Sequence, residues 1–147
     1  MTLKITINKK TPYKIDEQWL KDAANRIFYL LKGEGDYECE INLICQARMK
    51  ALNKKFRDKD KATTILSFVA SETKDFVLPA SKYQHLGEIF LCPLAIQKEA
   101  KSLEISTKNH MTRLLVHGIL HLLGYTHKNK QDSSVMERQE TLILHKL

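Results

Sequence analysis

Apolar and polar residues alternate in four short stretches of the chain, and each of these stretches predicts a half-buried β-strand. Between and after them, apolar residues recur every three or four positions, as they do on one face of an amphipathic helix. The predicted order is strand, helix, strand, helix, strand, strand and then three helices. The predicted strands are LKITIN (3–8), YECEINLIC (37–45), TTILSFVA (63–70) and LGEIFLC (86–92).

Capping residues indicate where several helices begin and end. Asp16 precedes the first helical stretch, and the glycines of KGEG (32–35) follow it. Pro93 stands at a favoured first position of the third helix. Ser106 or Thr107 can cap the fourth helix, because a side-chain oxygen there accepts a bond from a free backbone N–H.

The remaining segments are assigned by their polarity. The second helix is short and basic, and we expect Met49, Leu52 and Phe56 on its inner side. The polar segment 71–85 predicts a loop, and the last helix runs from about Gln131 to the C-terminus. Together these elements predict an α+β fold, in which residues 1–147 form a single layered domain with a mixed four-stranded sheet packed by about five helices.

Composition favours a cytoplasmic protein without a membrane partner. No apolar run reaches the eighteen or so residues of a membrane span, and the N-terminal stretch lacks the apolar region of a signal peptide. Cys39, Cys45 and Cys92 are odd in number and lack C-x-x-C spacing, which argues against disulfides and thiolate metal sites. We expect these cysteines to be small buried residues in or beside strands.

The chain is basic, with a net charge of +7 and an isoelectric point of about 9.3. The segment Arg48–Lys61 holds seven Lys or Arg residues against two Asp. Such a concentration is typical of a surface that binds a polyanion, and it is also typical of an ordinary solvated helix. A neighbouring site is needed to favour the first interpretation.

Three histidines fall within eleven positions, in HGILHLLGYTH (117–127). His117 and His121 are one helical turn apart, so both rings lie on the same side of a helix whose other positions are mostly apolar. Gly124 can take a left-handed conformation, which ends the helix and turns His127 back towards the other two rings. This spacing predicts that the three imidazoles meet at one metal ion.

The ligand type favours zinc of the catalytic kind. Structural zinc sites usually have four protein ligands that include cysteine, whereas catalytic sites have three protein ligands and a water. We therefore expect one Zn²⁺ per chain, held by three histidines and a water whose pKa zinc can lower to about 7. Nickel and iron remain alternatives, because both also bind imidazole.

The same spacing occurs in the metzincin peptidases, whose signature is H-E-x-x-H-x-x-G-x-x-H. In those enzymes, the glutamate after the first histidine is the general base. Gly118 occupies that position here, and glycine cannot transfer a proton. This difference makes a peptidase the weaker interpretation without excluding it.

The motif HGILHLLGYTH closely resembles the signature of the YbeY family of bacterial endoribonucleases, H-G-x-L-H-L-x-G-Y-D-H. Upstream, NKKFRDKDKATTILSFVA (53–70) resembles the family segment N-x-x-Y-R-x-x-D-x-P-T-D-V-L-S-F-P. LGEIFLCP (86–93) is similar to the family's G-D-I-x-I-(S/C) strand. The resemblance covers most of the chain in the same order, and it implies a mixed four-stranded sheet, a zinc ion on three histidines and cleavage of RNA.

The resemblance also implies roles for individual residues. His117, His121 and His127 match the zinc ligands, and Arg57 matches the family's functional arginine near the metal. A guanidinium can hold a phosphodiester by paired hydrogen bonds, although Arg57 alone would be an ordinary surface charge. Glu88 is the carboxylate that we expect as a catalytic base, with an exposed strand residue as the alternative.

Several family positions differ in this chain. Thr126 and Thr64 replace two aspartates, and Phe56 replaces the tyrosine before the arginine. The pattern predicts a core methionine at Met136 and a surface glutamate at Glu140, with packing beneath the site as the alternative for both. Four further residues are expected either to line an RNA groove or simply to pack in the fold: His110, Arg113, Ser67 and Phe68.

These observations favour a metal-dependent endoribonuclease specific for single-stranded RNA. The resemblance implies a role in 16S rRNA 3′-end maturation and ribosome quality control, with rRNA and ribosomal particles as partners. Two alternatives remain open, namely a metzincin-like metallopeptidase and a non-catalytic RNA-binding module associated with the ribosome. The sequence does not determine the oligomeric state.

Overall fold

The computed structural model describes residues 2–31, 35–72 and 83–147, and within them it contains four strands and five helices in the predicted order. The α+β class is therefore confirmed. The elements are β1 (Thr2–Lys10), α1 (Glu17–Leu31), β2 (Asp36–Ile44), α2 (Gln46–Arg57), β3 (Ile65–Val69), β4 (Gln84–Leu91), α3 (Pro93–Ser102), α4 (Thr107–Leu122) and α5 (Lys130–Lys146).

The four strands form one mixed sheet in the order β1-β2-β4-β3. β1, β2 and β4 are parallel, whereas β3 pairs with β4 in the antiparallel direction. β3 is therefore an edge strand, and one side of its backbone is not paired with another strand of the described sheet. The functional site described below lies beside this edge.

The larger hydrophobic core lies between one face of the sheet and the helices α1, α4 and α5. Leu115 and Ile119 of α4 are buried in it, together with Ile41 of β2 and Ile89 of β4. Burial of such side chains contributes about 1.5–3 kcal/mol each, relative to exposure. α4 is consequently a rigid element that can hold its histidines in place.

The opposite face of the sheet carries a smaller core under α2. Met49 and Leu52 of α2 are buried there against Leu66 of β3, as predicted for the inner side of this helix. The prediction for Phe56 was wrong, because 48% of its surface is exposed. Its ring lies in the last turn of α2 and makes an edge contact with the ring of Phe68 instead.

The ends of all four predicted strands differ from the structure by one or two residues. β4 begins at Gln84, so the last two residues of the predicted loop 71–85 belong to the strand. β3 is shorter than predicted, and a 3-10 turn follows it at Ala70–Glu72. Most of the predicted loop, at 73–82, and the predicted helix end at 32–34 lie outside the described residues.

Predicted helix starts agree with the structure. Pro93 is the first residue of α3, and the Ser106 side chain accepts a hydrogen bond from the backbone N–H of Asn109, which caps α4. Cys39 and Cys92 are buried as expected, but Cys45 is exposed because it lies between β2 and α2. Across the described residues, no helix combines the length and the apolar character needed to cross a membrane.

Candidate metal centre and active site

His117 and His121 project from the last turns of α4 on the same side. Their ring centroids are 4.6 Å apart, and their Nε2 atoms are 3.1 Å apart. Both side chains are half-buried, while Leu120 between them is buried in the core. The helical spacing therefore places two imidazole nitrogens at one point, as the sequence predicted.

The chain turns sharply after α4 and brings the third histidine to the same point. Gly124 has a φ of 102°, a backbone conformation that residues with a Cβ rarely adopt. The ring of His127 then lies 4.8 Å from that of His121 and 5.8 Å from that of His117. Ligand nitrogens of all three residues lie within 4.8 Å of one another, so the predicted convergence of the rings is confirmed.

Two hydrogen bonds orient the rings of His117 and His121. The Nδ1–H of His117 donates to the carboxylate of Glu140 at 2.7 Å, and the Nδ1–H of His121 donates to the carbonyl oxygen of Tyr125 at 2.9 Å. With Nδ1 protonated, each neutral ring carries its lone pair on Nε2. Two such lone pairs only 3.1 Å apart repel each other unless they share a cation or a proton.

This donor set fits a divalent transition metal. Metal-bound histidines usually donate their other ring N–H to a carboxylate or a backbone carbonyl, and both arrangements occur here. Burial, followed by the neighbouring His117, lowers the pKa of His121. The lowered pKa favours the neutral ring, which is the form that binds a metal ion.

Glu140 packs beneath the three histidines, which was the alternative and not the preferred interpretation of the sequence. It was expected as a surface glutamate, whereas its carboxylate lies on α5 against the ring of His117, and only about a quarter of its side chain is exposed. Met136, one turn earlier, is buried in the core as predicted. This contact could not be predicted from the local sequence, because 23 residues separate Glu140 from His117.

The loop that carries His127 is held by α5. The Thr126 hydroxyl donates to the Asp132 carboxylate at 3.1 Å. The same carboxylate accepts from the side chain of Asn129, whose side-chain oxygen caps the start of α5. Thr126, which replaces a family aspartate, is thus bonded to an acidic side chain five positions beyond His127.

Arg57 lies beside the histidines. A cavity of about 310 Å³, which we call the histidine cavity, is lined by the three rings and by Arg57, Ser67 and Lys128. The guanidinium donates to the Ser67 carbonyl oxygen at 3.2 Å and to the Phe56 carbonyl oxygen at 3.3 Å. The expected positions of Arg57 and Ser67 near the three histidines agree with this geometry.

The structure does not bring Glu88 to the histidines. Side chains alternate between the two faces of a strand, and Ile89 of β4 is the residue near α4, so Glu88 projects from the opposite face of the sheet. There it lines a separate cavity with Phe68. Burial, followed by a shared hydrogen bond and repulsion from Glu40, raises the pKa of Glu88. This geometry does not support the expected role of Glu88 as a catalytic base in the histidine cavity.

Neither candidate from the first half of α4 lines the histidine cavity. His110 is buried, and its Nε2 bonds the carboxylate of Glu99, which joins α4 to α3. Its possible role in an RNA groove is therefore not supported, because the ring is enclosed by the fold. Arg113 is exposed on the surface of α4.

Gly118 lies where α4 packs closely on the sheet. A Cβ at this position would lie 2.9 Å from Ile65 Cδ1 and 3.2 Å from Ile89 Cδ1. α4 therefore approaches β3 and β4 closely at this point. A glutamate here, as in the metzincin peptidases, would extend into the sheet instead of towards the three histidines.

Known proteins resemble this chain over nearly its whole length. A sequence profile of the family described as Endoribonuclease YbeY matches residues 4–147. The chain belongs to the YbeY family. The Endoribonuclease YbeY of Sulfurihydrogenibium sp. (strain YO3AOP1) is 36% identical over 146 residues, which cover 98% of this chain and 92% of that relative. That of Acinetobacter baumannii (strain AB307-0294) is 36% identical over 151 residues, covering 99% and 95%.

A solved structure shares the fold. The solution structure of TM1509 from Thermotoga maritima superposes with a TM-score of 0.65 at 22% identity, covering 98% of this chain and 87% of that one. The family resemblance drawn from HGILHLLGYTH and the two upstream motifs is therefore confirmed by matches over nearly the whole chain.

Proposed function

We propose that this protein is a metal-dependent endoribonuclease that hydrolyses single-stranded RNA at the three-histidine centre. The observation that carries the proposal is the convergence of His117, His121 and His127 beside Arg57 in one open cavity, in a chain of the YbeY family. A phosphodiester is the substrate to which this combination is suited, because it needs both an activated water and a cation for its anionic oxygens.

Zinc is the metal that we propose for the site. Three neutral imidazoles and an accessible cavity match catalytic zinc sites, and the bound ion would supply Lewis-acid activation of water and of a phosphate oxygen. Glu140 and the Tyr125 carbonyl hold the rings of His117 and His121 in the tautomer that this ligation requires.

Arg57 is the phosphate-binding residue in this proposal. Its two bonds to backbone carbonyls fix the guanidinium at the cavity wall and use two of its five N–H donors. The other donors can bind the non-bridging oxygens of a phosphodiester and stabilise the charge that develops there. The basic helix and loop Arg48–Lys61 would attract the rest of the RNA backbone.

The biological substrate that we propose is rRNA in ribosomal particles in the cytoplasm, with 16S rRNA 3′-end maturation and ribosome quality control as the process. The family relationship and the basic surface support this assignment. The peptidase alternative is weaker, because the position of the peptidase glutamate is a glycine packed against the sheet. Glu88 has no role in our proposed hydrolytic centre.

The proposal predicts that Arg57→Ala lowers kcat for cleavage of single-stranded RNA by about 100-fold or more, the loss typical when one charge-stabilising donor is removed. Arg138→Ala is the matched control, because Arg138 is exposed on α5. Cleavage rates of the zinc-loaded proteins on a labelled RNA, and on an unstructured peptide, provide the measurement. Normal cleavage by Arg57→Ala, or hydrolysis of the peptide with intact RNA, would contradict the proposal. Binding of RNA without any cleavage would instead favour the non-catalytic module.

A further inference from the structure

A second cavity of about 360 Å³ lies on the other side of β3 from the histidine cavity, between α2 and the sheet. We call it the aromatic cavity, and its volume is within the range of about 300–1,000 Å³ that is typical of small-ligand sites. Residues that line it and enter the following argument are Arg48, Lys55, Phe56, Phe68, Glu88 and Phe90.

Three phenylalanine rings form a continuous series along this cavity. The centroids of Phe56 and Phe68 are 5.2 Å apart, and those of Phe68 and Phe90 are 5.6 Å apart, both in edge-on contact. Phe56 is 48% exposed, so much of its ring is accessible. Exposed aromatic rings beside a cavity are the surfaces on which single-stranded nucleic acids stack their bases.

Cations surround these rings. Arg48 and Lys55 line the cavity, and the Lys55 ammonium lies 5.1 Å from the centroid of the Phe56 ring. The Arg57 guanidinium carbon lies 5.1 Å from the centroid of the Phe68 ring. Rings and cations in alternation favour an occupant with both planar groups and negative charges, which describes RNA better than an apolar protein segment.

Glu88 is the one acidic side chain among these lining residues. Because burial, followed by Glu40, raises the pKa of Glu88, the neutral carboxyl is favoured relative to that of an exposed glutamate. Its carboxyl oxygens can accept hydrogen bonds from the N–H groups at the edge of a base.

The two cavities are connected through adjacent residues. Phe56 lines the aromatic cavity and Arg57 lines the histidine cavity, and the consecutive residues Phe68 and Ser67 are divided in the same way. Because β3 is an edge strand, a chain lying across this edge can contact both cavities at once. The two cavities are therefore close enough for neighbouring nucleotides of one strand to occupy them.

We propose that the aromatic cavity binds a nucleobase of single-stranded RNA, on a nucleotide close to the phosphate that Arg57 holds. The base stacks on Phe56, and Arg48 and Lys55 contact the adjoining phosphates. This inference rests on the proposed function, and it adds a binding site that would set where along the strand the RNA is cut.

The test uses single-stranded RNAs that each lack one base, at successive positions on both sides of the cleaved bond. In the zinc-loaded wild type, one abasic position should lower kcat/KM about five-fold or more, the lower end of base–aromatic stacking. In Phe56→Ala, the same missing base should have almost no effect, because the stacking partner is already gone. Phe56→Trp should retain the wild-type pattern, and thermal unfolding should show that all variants are folded.

Matched controls are available for the ring and for the cation. Tyr29→Ala removes an exposed aromatic of α1 and should leave the wild-type pattern unchanged. Lys55→Ala should raise KM, whereas Lys50→Ala, on the same helix but paired with Asp60, should raise it less. Equal sensitivity to the missing base in wild type and Phe56→Ala, or no sensitive position at all, would overturn the proposal.

Dissociation constants of the same RNAs separate this inference from the proposed function. In one outcome, a missing base weakens RNA binding by the wild type but not by Phe56→Ala, and neither protein cleaves RNA. That result would support the aromatic cavity and overturn the nuclease function. In another outcome, Phe56→Ala leaves every RNA dissociation constant unchanged but binds purified ribosomal particles less well. The cavity would then be a protein-docking surface, and the base-binding proposal would be overturned.

Discussion

At the scale of single residues, the sequence predicted the three histidines that converge and left open whether Glu140 lies beneath them. His117, His121 and His127 could be predicted because a helical turn and a glycine turn are local geometry. Glu140 could not be placed, because its contact with His117 depends on how α5 packs on α4. The positions of the acidic residues within α5 do not show which of them faces α4.

We predict that Glu140→Ala weakens zinc binding by about 10-fold to 100-fold, which is the usual effect of removing the carboxylate behind a ligand histidine. Without this acceptor, the Nδ1–H of His117 no longer fixes the ring with its Nε2 towards the other ligands. Competition with a chromophoric zinc chelator measures the affinity without relying on enzymatic activity.

Glu137→Ala is the control for this variant, because Glu137 is exposed on the same helix. Glu140→Gln should weaken binding less than Glu140→Ala, since the amide oxygen can still accept the hydrogen bond. An unchanged zinc affinity in Glu140→Ala would show that the carboxylate does not orient the ligand.

At the scale of elements, the position of the site depends on how closely α4 approaches the sheet. The pattern predicted α4, its cap and its buried side correctly, because these follow from periodicity and local capping. It did not predict that Gly118 lies directly against Ile65 and Ile89. That contact places the histidine turn beside β3, where Arg57 reaches it.

We predict that Gly118→Glu destabilises the fold by about 3 kcal/mol or more, because it drives an unpaired carboxylate into apolar packing. It should also create no peptidase activity. Gly118→Ala is the informative control, since its methyl group meets mainly the flexible tips of side chains and alanine favours helix by about 1 kcal/mol. Denaturant unfolding measures both variants, and a Gly118→Glu protein as stable as wild type would contradict this account.

The alternation of strand faces also explains why the expectation for Glu88 found no support. The motif showed that Glu88 lies in a strand near the site, but only the layer arrangement decides which face it occupies. In the structure, Glu88 is the register partner of Glu40 on the neighbouring strand. Burial, followed by a hydrogen bond with Glu40 and repulsion from it, raises the pKa of Glu88.

This pair gives a prediction for stability against pH. Because the folded-state pKa of Glu88 is raised, ionisation destabilises the folded protein above that pKa, and the penalty disappears as the pH falls. Glu88→Gln should therefore have a higher Tm than wild type at pH 8, and the difference should shrink towards pH 5. Thermal unfolding across this range is the measurement, with exposed Glu137→Gln as control. A difference that grew as the pH fell would contradict the assignment.

At the scale of the whole molecule, the sequence predicted the fold but not the two cavities on either side of β3. Element order and the mixed sheet followed from periodicity, and the family motifs agreed with them. The two cavities on either side of β3 arise from tertiary packing of α2 and α4 on opposite faces of the sheet. The net charge of +7 is consistent with an RNA substrate, but only this geometry brings Arg57 of the basic helix to the three histidines.

The most direct test of the central claim is a zinc titration of RNA cleavage. Protein stripped of metal by a chelator is mixed with a labelled single-stranded RNA, and the cleavage rate is measured as zinc is added. We predict no cleavage without metal, then a rate that rises with zinc and saturates at one ion per chain. Cleavage by the metal-free protein at the saturated rate, or a zinc-loaded protein that leaves the RNA intact, would contradict the account.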